Sequence, residues 1–310
     1  MSSRSIHIIN GDGLAAKMME LDIPGEVIVW RELLCEGPTV QEVGSEAFTE
    51  VRKKFIGDAY GISPENYEEK FVSQLEKLRN LEDYEEVILW FEFDLFCHIN
   101  MIAAISFFLN YKKEVPMYLV CSKKLKGEKG NKPLTQLNAK QLYNHFQNKI
   151  SLTSDDLQLA NFIWELYCSN NPLQLKAQIK KHSNFEYLSS CIRAHIERFP
   201  NSETGINSLE RNILKIVQRN IISSENQLLG YALEYQGYYG YSDNQMKRLL
   251  KKLRDFYLVE EDRVILSEKG EAAMEETTNF YRELNNDECF GGAKMYDFLY
   301  ESESHRLLKL

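Results

Sequence analysis

Residues 10–13 (NGDG) follow a short apolar run at residues 6–9 and precede apolar residues at helical spacing, namely Leu14, Met18 and Leu21. This pattern predicts a strand, a glycine turn and the start of a helix. Glycine lets backbone approach a ligand closely, and the N–H groups at a helix start favour anions. Asn10, Gly11 and Gly13 are therefore candidate ligand-binding residues. Asp12 is a candidate catalytic carboxylate, and it is equally suited to be the N-cap of the helix.

Arg31 follows a second apolar run, residues 27–29, and Glu36 lies five residues later. A charged side chain at the end of a buried strand usually meets a carboxylate or a phosphate. Two interpretations stay open. Arg31 and Glu36 contact a ligand, or Arg31 forms a structural ion pair with Asp12 or Glu36.

A third apolar run, residues 86–93 (EVILWFEF), ends in Glu92 and is followed by Asp94. His98 comes one helical turn after Asp94, so the two side chains can share a face. Carboxylates can transfer protons, and with a histidine they can hold a divalent cation such as Mg²⁺. Glu92 and Asp94 are thus candidate catalytic residues, and His98 is a candidate ligand-binding residue. Asp94 also suits the N-cap of the apolar helix that follows.

A strand, a helix and a strand in this order indicate a parallel sheet, in which ligands bind at the carboxyl ends of the strands. With further strands at residues 86–91 and 116–121, residues 1–150 are expected to form a Rossmann-like α/β domain with a mostly parallel sheet. Two helices are expected within residues 37–80. The lysine-rich residues 123–132 are expected to be a solvated loop or a flap that faces phosphate.

The second half of the chain has helical rather than strand periodicity. Residues 151–204 are expected to be a helical connector, and residues 205–310 a winged-helix-like region with a tail docked on the body. Its third helix carries a basic set that suits a DNA groove: Lys247, Arg248, Lys251 and Lys252. The acidic hairpin turn at residues 260–262 opposes phosphate, so a protein partner is an alternative.

Composition limits the function classes. The net charge is −9, which disfavours general adsorption to nucleic acid or anionic membranes. The longest strongly apolar run, residues 101–109, is too short to span a bilayer, and residues 1–10 lack a signal core. Six scattered cysteines without a CxxC pattern predict reduced thiols in a cytoplasmic protein.

Three motif blocks, IHIINGD, PGEVIVWRELLCEGP and VILWFEFDLFCHIN, resemble the bacterial proteins grouped as domain of unknown function 1835. The resemblance covers roughly the first half of the chain and implies no established activity. It implies that the matching residues occur together as a set: Asn10, Gly11, Asp12, Trp30, Arg31, Glu36, Gly37, Pro38, Trp90, Glu92, Asp94 and Leu95. Gly13, Phe93 and His98 stand where members often have Ser, His and Gln. The resemblance therefore supports neither a hydroxyl nucleophile at the turn nor a mechanism with a histidine between Glu92 and Asp94.

Two functions are carried forward. The first is a site for a phosphorylated or nucleotide-like small molecule at the strand ends, in which Arg31 pairs with the anion and the carboxylates bind a metal or move a proton. Hydrolysis or group transfer would be the reaction, by analogy of fold alone. The second is a regulator that binds DNA or a protein through its C-terminal region. The residues are compatible with an enzyme and with a binding protein, and with any oligomeric state.

Overall fold

The computed structural model describes residues 4–80, 84–111, 115–121 and 132–310. The protein has a mixed α/β fold with a mostly parallel five-stranded sheet. Most of the predicted lysine-rich loop, residues 123–131, lies outside the described residues. Within the described ranges, we find no helix that combines the length and the apolar character needed to cross a membrane.

Strands and helices are numbered in chain order. The first half contains β1 (Ser5–Asn10), α1 (Asp12–Met18), β2 (Glu26–Trp30), β3 (Gly37–Pro38), α2 (Glu46–Tyr60), α3 (Pro64–Tyr67), a π-helical turn (Glu68–Val72), α4 (Ser73–Asn80), β4 (Glu86–Trp90), α5 (Leu95–Asn110), β5 (Met117–Val120), a 3₁₀ turn (Leu134–Gln136), α6 (Ala139–Gln147) and β6 (Ile150–Ser151). The second half contains α7 (Ser154–Cys168), α8 (Leu175–Gln178), α9 (Leu188–Ile196), α10 (Ser208–Arg219), α11 (Glu225–Glu234), α12 (Asp243–Lys252), β7 (Tyr257–Val259), β8 (Val264–Leu266), α13 (Glu268–Met274), α14 (Tyr281–Leu284), β9 (Cys289–Gly291), β10 (Ala293–Lys294), β11 (Phe298–Glu301) and β12 (Arg306–Lys309).

The main sheet has the strand order β2-β1-β4-β5-β6. The first four strands are parallel, which confirms the predicted parallel arrangement, and β6 is antiparallel to β5. Strand β6 was not predicted. The strand order reverses at β1, because β2 lies on one side of it while β4 and the later strands lie on the other.

Apolar clusters cover both faces of the sheet. Ile9, Leu14 and Trp90 belong to the smaller cluster, in which α1 and α6 cover one face. On the other face lies a larger cluster that includes residues from α2, α4, α5 and the second half of the chain. Helix α5 is apolar nearly all round because it lies between the sheet and helices α7 and α9.

The predicted C-terminal elements are present. Helices α10, α11 and α12 precede the β7–β8 hairpin and α13, and Ile222 adds an isolated bridge to Val264. The C-terminal tail contacts the rest of the protein, because β9 pairs in parallel with β3 near the start of the chain. The proposed limits at residues 150 and 204 stay predictions.

Candidate functional site

The turn after β1 is open toward solvent. Gly11 has a φ of 78°, and no described atom lies within 4 Å of the position that a Cβ would take there. Its N–H donates to the carbonyl of Trp30 at 3.0 Å, which joins the ends of β1 and β2. The predicted N-cap role of Asp12 is wrong: Gly11 is the N-cap, and Asp12 is the first helical residue. The Asp12 carboxylate is thereby directed to Arg31.

Asp12 and Arg31 form an ion pair at this edge. Arg31 Nη2 lies 2.7 Å from Asp12 Oδ1, and Arg31 Nε donates to both carboxylate oxygens. Arg31 Nη1 donates to the carbonyl of Lys70 in the π-helical turn. The hydrogen bond from Arg31 lowers the pKa of Asp12. Of the two interpretations left open for Arg31, the structure contains the ion pair, and 70% exposure leaves the Asp12 side chain accessible to a ligand.

Glu92 lies half-buried just after β4, and Thr135 lies between it and Gly13 at the start of α1. Its Oε1 accepts a hydrogen bond from the Thr135 N–H at 3.5 Å. The Thr135 methyl lies 3.3 Å from the position of a Cβ on Gly13. Burial and then the Asp94 carboxylate raise the pKa of Glu92 to about 7. A carboxyl group with this pKa can both accept and donate a proton at neutral pH. Thr135 gave no signal in the sequence.

Asp94 is the N-cap of α5, as predicted, and accepts a hydrogen bond from Cys97 N–H at 2.7 Å. Burial raises its pKa to about 6. Residues 238–240 close over it: Leu95 N–H donates to the Tyr238 carbonyl at 2.7 Å. A Cβ on Gly240 would lie 2.2 Å from Asp94 Cγ. The C-terminal region therefore covers the start of α5.

Asn10 joins β1 to α5. Its Nδ2 donates to Cys97 Sγ at 3.0 Å, and its Oδ1 accepts from Asn100 Nδ2 at 2.9 Å. Asn100 also donates to the Glu32 carbonyl at 2.7 Å. The side chain of Asn10 is thus committed to positioning the strand end against the helix.

The prediction that His98 lines the ligand edge is wrong. His98 is 2% exposed and lies with Ile163 and Ile192 around a small internal void. Its Nδ1 contacts the carbonyl of Asp94 rather than the carboxylate. Helices α7 and α9 enclose this side of α5, so the turn after Asp94 directs His98 into the core. Burial lowers the pKa of His98 to about 4.

Sequence reasoning missed a buried ion pair between Glu32 and Arg52. Both side chains are fully buried, and Arg52 Nη2 lies 2.7 Å from Glu32 Oε2. Arg52 also donates to the carbonyls of Leu33, Glu36 and Pro38. Arg52 stands four residues from both Phe48 and Ile56, on the buried stripe of α2. A charge on such a stripe predicts a buried partner.

Glu36 lies away from Arg31, in a cavity of about 890 Å³ between α2, α12 and β9. It accepts a hydrogen bond from the Tyr60 hydroxyl, and its Oε1 lies 3.4 Å from Arg248 Nη1. Glu36 is therefore not part of the strand-end site with Arg31, contrary to prediction. Arg52 holds the turn at residues 32–38, and this turn places Glu36 in the cavity.

The basic set on α12 divides into two pairs. Lys247 and Lys251 are exposed, as predicted. Arg248 and Lys252 each lie 2.9 Å from a carboxylate oxygen of Glu288, so these two are not free to face a DNA groove, contrary to prediction. The cause is the docked tail, which places Glu288 beside α12.

In the described ranges, no group of three or more His, Cys, Asp or Glu side chains is placed to hold a metal ion. All six cysteines are free thiols. Burial raises the pKa of Cys97, beside Asn10, well above its usual value. A nucleophilic role needs a thiolate, which this environment disfavours.

No protein-family model matches the sequence, and no curated protein matches it. Among solved structures, the chain is similar to the DNA-binding, cleavage and re-ligation domain of Plasmodium falciparum topoisomerase II. The two are 12% identical, with a TM-score of 0.48. The match covers 81% of this chain and 42% of that one. A likeness at this level carries no argument about function.

Proposed function

We propose that this protein binds a phosphorylated or nucleotide-like small molecule at the carboxyl ends of β1 and β4. The observation that carries the proposal is the reversal of strand order between these two strands, with Gly11 and Glu92 at their ends. In open α/β sheets, ligands bind in the crevice outside the strand ends where the order reverses. The open space above Gly11 supports the same location.

Each side chain at this edge has a proposed role. Arg31 pairs with the anionic group of the ligand, since a guanidinium matches phosphate oxygens in a bidentate geometry. Asp12 holds Arg31 in place until the ligand arrives. Glu92 accepts or donates a proton, and hydrolysis or group transfer is the proposed reaction class. Mg²⁺ bound with the ligand's phosphate, through Asp12 or Glu92, belongs to the same proposal.

The finer fold relationships are also proposals. A Rossmann-like arrangement of the first domain is supported by the parallel strand order and by helices on both faces. A winged-helix-like arrangement of residues 205–310 is supported by the order of helices and hairpin and by the bridge from Ile222. Membership of the family of domain of unknown function 1835 is supported by the three motif blocks alone.

The test is thermal unfolding against a panel of nucleotides and sugar phosphates, with and without Mg²⁺. A ligand at a hundred times its dissociation constant stabilises a protein by about 2.7 kcal/mol, which raises the midpoint measurably. We expect a stabilising ligand whose effect is lost in Arg31→Met. The matched control is Arg263→Met, which removes an arginine from another exposed ion pair, with Glu260.

Three results are decisive. A ligand effect lost in Arg31→Met and kept in Arg263→Met supports the proposed site, and dependence on Mg²⁺ adds the cation. An effect that survives Arg31→Met, or a panel without any hit, overturns it. Conversion of a hit to product, lost in Glu92→Gln with binding retained, establishes Glu92 as the proton-transfer group.

The alternative, a regulator that binds DNA or a protein partner, is favoured by the exposed pair Lys247 and Lys251. Arg248 and Lys252 are committed to Glu288, so the basic surface is smaller than the sequence predicted. Salt-dependent binding of a short DNA duplex, lost in Lys247→Glu with Lys251→Glu, would support this alternative. Binding that is unchanged by the substitutions would exclude α12 as its surface.

A further inference from the structure

A cavity beside α12 lies apart from the proposed strand-end site, although Glu36, Gly37 and Pro38 of its lining follow Arg31 closely in the sequence. We name it the α12 cavity; it has a volume of about 890 Å³ and is lined by residues of α2, α10, α12 and β9. Pockets for small ligands commonly enclose about 300–1,000 Å³. The volume therefore suits a small molecule, and the question is which chemistry the lining favours.

Every carboxylate that lines the α12 cavity contacts a cation of the same chain. Asp58 contacts Lys54, and Asp287 contacts Lys294. Glu288 contacts both Arg248 and Lys252, which also contact Glu36 and Glu210. Each carboxylate of the lining therefore has a cation beside it, and Glu36, Glu210 and Glu288 share Arg248 and Lys252.

Five cations and five carboxylates line the α12 cavity, and three of the cations stand outside these ion pairs. Arg198, Lys247 and Lys251 also line the cavity, and none of them lies in an ion pair with a carboxylate of the described residues. Lys247 and Lys251 are exposed, and Arg198 is 1% exposed. These three cations therefore run from a buried guanidinium to two ammonium groups on the surface.

Arg198 is the unusual member because it is charged, buried and surrounded by neutral groups. Its Nη1 donates to the Cys35 carbonyl at 2.6 Å and to the Tyr241 hydroxyl at 3.2 Å, and its Nη2 lies 2.6 Å from His195 Nδ1. Burial holds the pKa of His195 well below its usual value, so this histidine is neutral. Arg198 Nε has no hydrogen-bond partner among the described residues.

A buried guanidinium without an anion is costly, since arginine keeps its charge in proteins and its lost hydration must be replaced. The ring of Phe290, with its centroid 4.0 Å from Arg198 Cζ, supplies part of the compensation as a cation–π contact. An anionic group from outside the protein would supply the rest, and the cavity gives it a place beside Arg198.

We propose that the α12 cavity binds a phosphorylated small molecule, with its phosphate facing Arg198 and with Lys247 and Lys251 at the mouth. A phosphate carries up to two negative charges and several acceptor oxygens, so three cations outside ion pairs favour it over a carboxylate, which carries a single charge. This site shares no residue with the Arg31 and Glu92 edge, so it stands or falls independently of the function proposed above.

The experiment is calorimetric titration of the full chain with inorganic pyrophosphate at low salt, with acetate as the carboxylate comparison. The test variant is Lys247→Gln with Lys251→Gln, because both side chains are exposed and outside the core. The control is Lys215→Gln with Arg219→Gln, which removes the same charge from exposed positions on α10 that do not line the cavity. We expect pyrophosphate affinity to fall about tenfold in the test variant and to hold in the control.

A second variant addresses the buried cation. Arg198→Lys keeps the charge but removes the planar fork, so we expect pyrophosphate binding to be lost while near-ultraviolet circular dichroism shows an intact fold. If this variant does not fold, the variant Lys247→Gln with Lys251→Gln alone tests the proposal. The proposal is overturned by the absence of pyrophosphate binding at millimolar concentrations, by equal losses in test and control variants, or by acetate binding as tightly as pyrophosphate. It is also overturned if a DNA duplex, and not pyrophosphate, shows the dependence on Lys247 and Lys251.

Discussion

Glu92 connects the candidate site to a measurable pH dependence. Its pKa is raised from 4.5 to about 7 in the folded protein, so the stability associated with its protonated form is present below pH 4.5 and is lost as the pH rises through 7. Glu92→Gln should remove this loss. Between pH 5 and pH 8, the free energy of unfolding of the variant should therefore fall by roughly 2 kcal/mol less than that of the wild type. Urea unfolding at the two pH values measures it.

The control for Glu92→Gln is Glu20→Gln, at an exposed position after α1. We expect this control to follow the wild-type pH dependence. If Glu92→Gln also follows the wild type, Glu92 is ionised normally and the proposed proton transfer loses its basis. Asp94, whose pKa is raised to about 6, contributes a loss of the same sign at slightly lower pH in every variant that keeps it.

Arg52 is the residue on which the path of residues 32–38 depends. Arg52→Met would leave the Glu32 carboxylate buried without its cation, and breaking such a pair costs about 3–5 kcal/mol. Arg52→Met with Glu32→Leu should recover part of this cost, because no buried charge then remains. Denaturant unfolding of both variants measures the difference. A free energy of unfolding for Arg52→Met within about 1 kcal/mol of the wild-type value would show that the pair of Arg52 and Glu32 adds little stability.

At the scale of elements, the contact between residues 238–240 and the start of α5 links the proposed C-terminal region to the proposed α/β domain. Gly240 and Gly237 both have a φ of 70°, so alanine is strained at either position. They differ in space: a Cβ on Gly240 would overlap Asp94, whereas none of the described atoms lies within 4 Å of one on Gly237.

These two glycines form a matched test of that contact. Gly237→Ala should cost about 1–2 kcal/mol, which is the strain of a left-handed residue. Gly240→Ala should cost clearly more, because the loop must also move away from Asp94 and lose its hydrogen bonds to Leu95 and Phe96. Thermal unfolding of the pair gives the comparison. Equal costs would mean that the loop does not depend on its contact with α5.

At the scale of the whole molecule, residues 34–41 are held by the second half of the chain. Tyr167 OH donates to the Leu34 carbonyl, Trp164 Nε1 donates to the Gln41 carbonyl, and Arg198 donates to the Cys35 carbonyl. One apolar cluster also includes residues from β1 through β11. The predicted domains therefore share a core.

This shared core predicts one cooperative unfolding transition for the full chain. The three tryptophans, Trp30, Trp90 and Trp164, report on the α/β sheet and α7, while far-ultraviolet circular dichroism reports on all helices. We expect the two signals to give the same urea midpoint. Separate midpoints would show that residues 205–310 unfold independently of the sheet.

Much of the fold was predictable because its signals are local. Strands β1, β2, β4 and β5 have β-branched and apolar runs, and the amphipathic helices show their periodicity within a few turns. The sequence determined the parallel sheet, the polar residues at its strand ends, the N-cap at Asp94 and the order of the C-terminal elements. Each of these follows from the pattern within single elements and from the order of the elements along the chain.

Only the tertiary structure decided which of these polar groups meet. Glu36 contacts Arg248, 212 residues away, and so leaves the site that its motif suggested. His98 entered the core because α7 and α9 cover one side of α5, and Arg248 and Lys252 turned to Glu288 because the tail docks there. Arg198 gave no local signal, since its burial comes from residues that precede and follow it by long stretches of chain. Such contacts depend on how separate elements pack, which no local periodicity encodes.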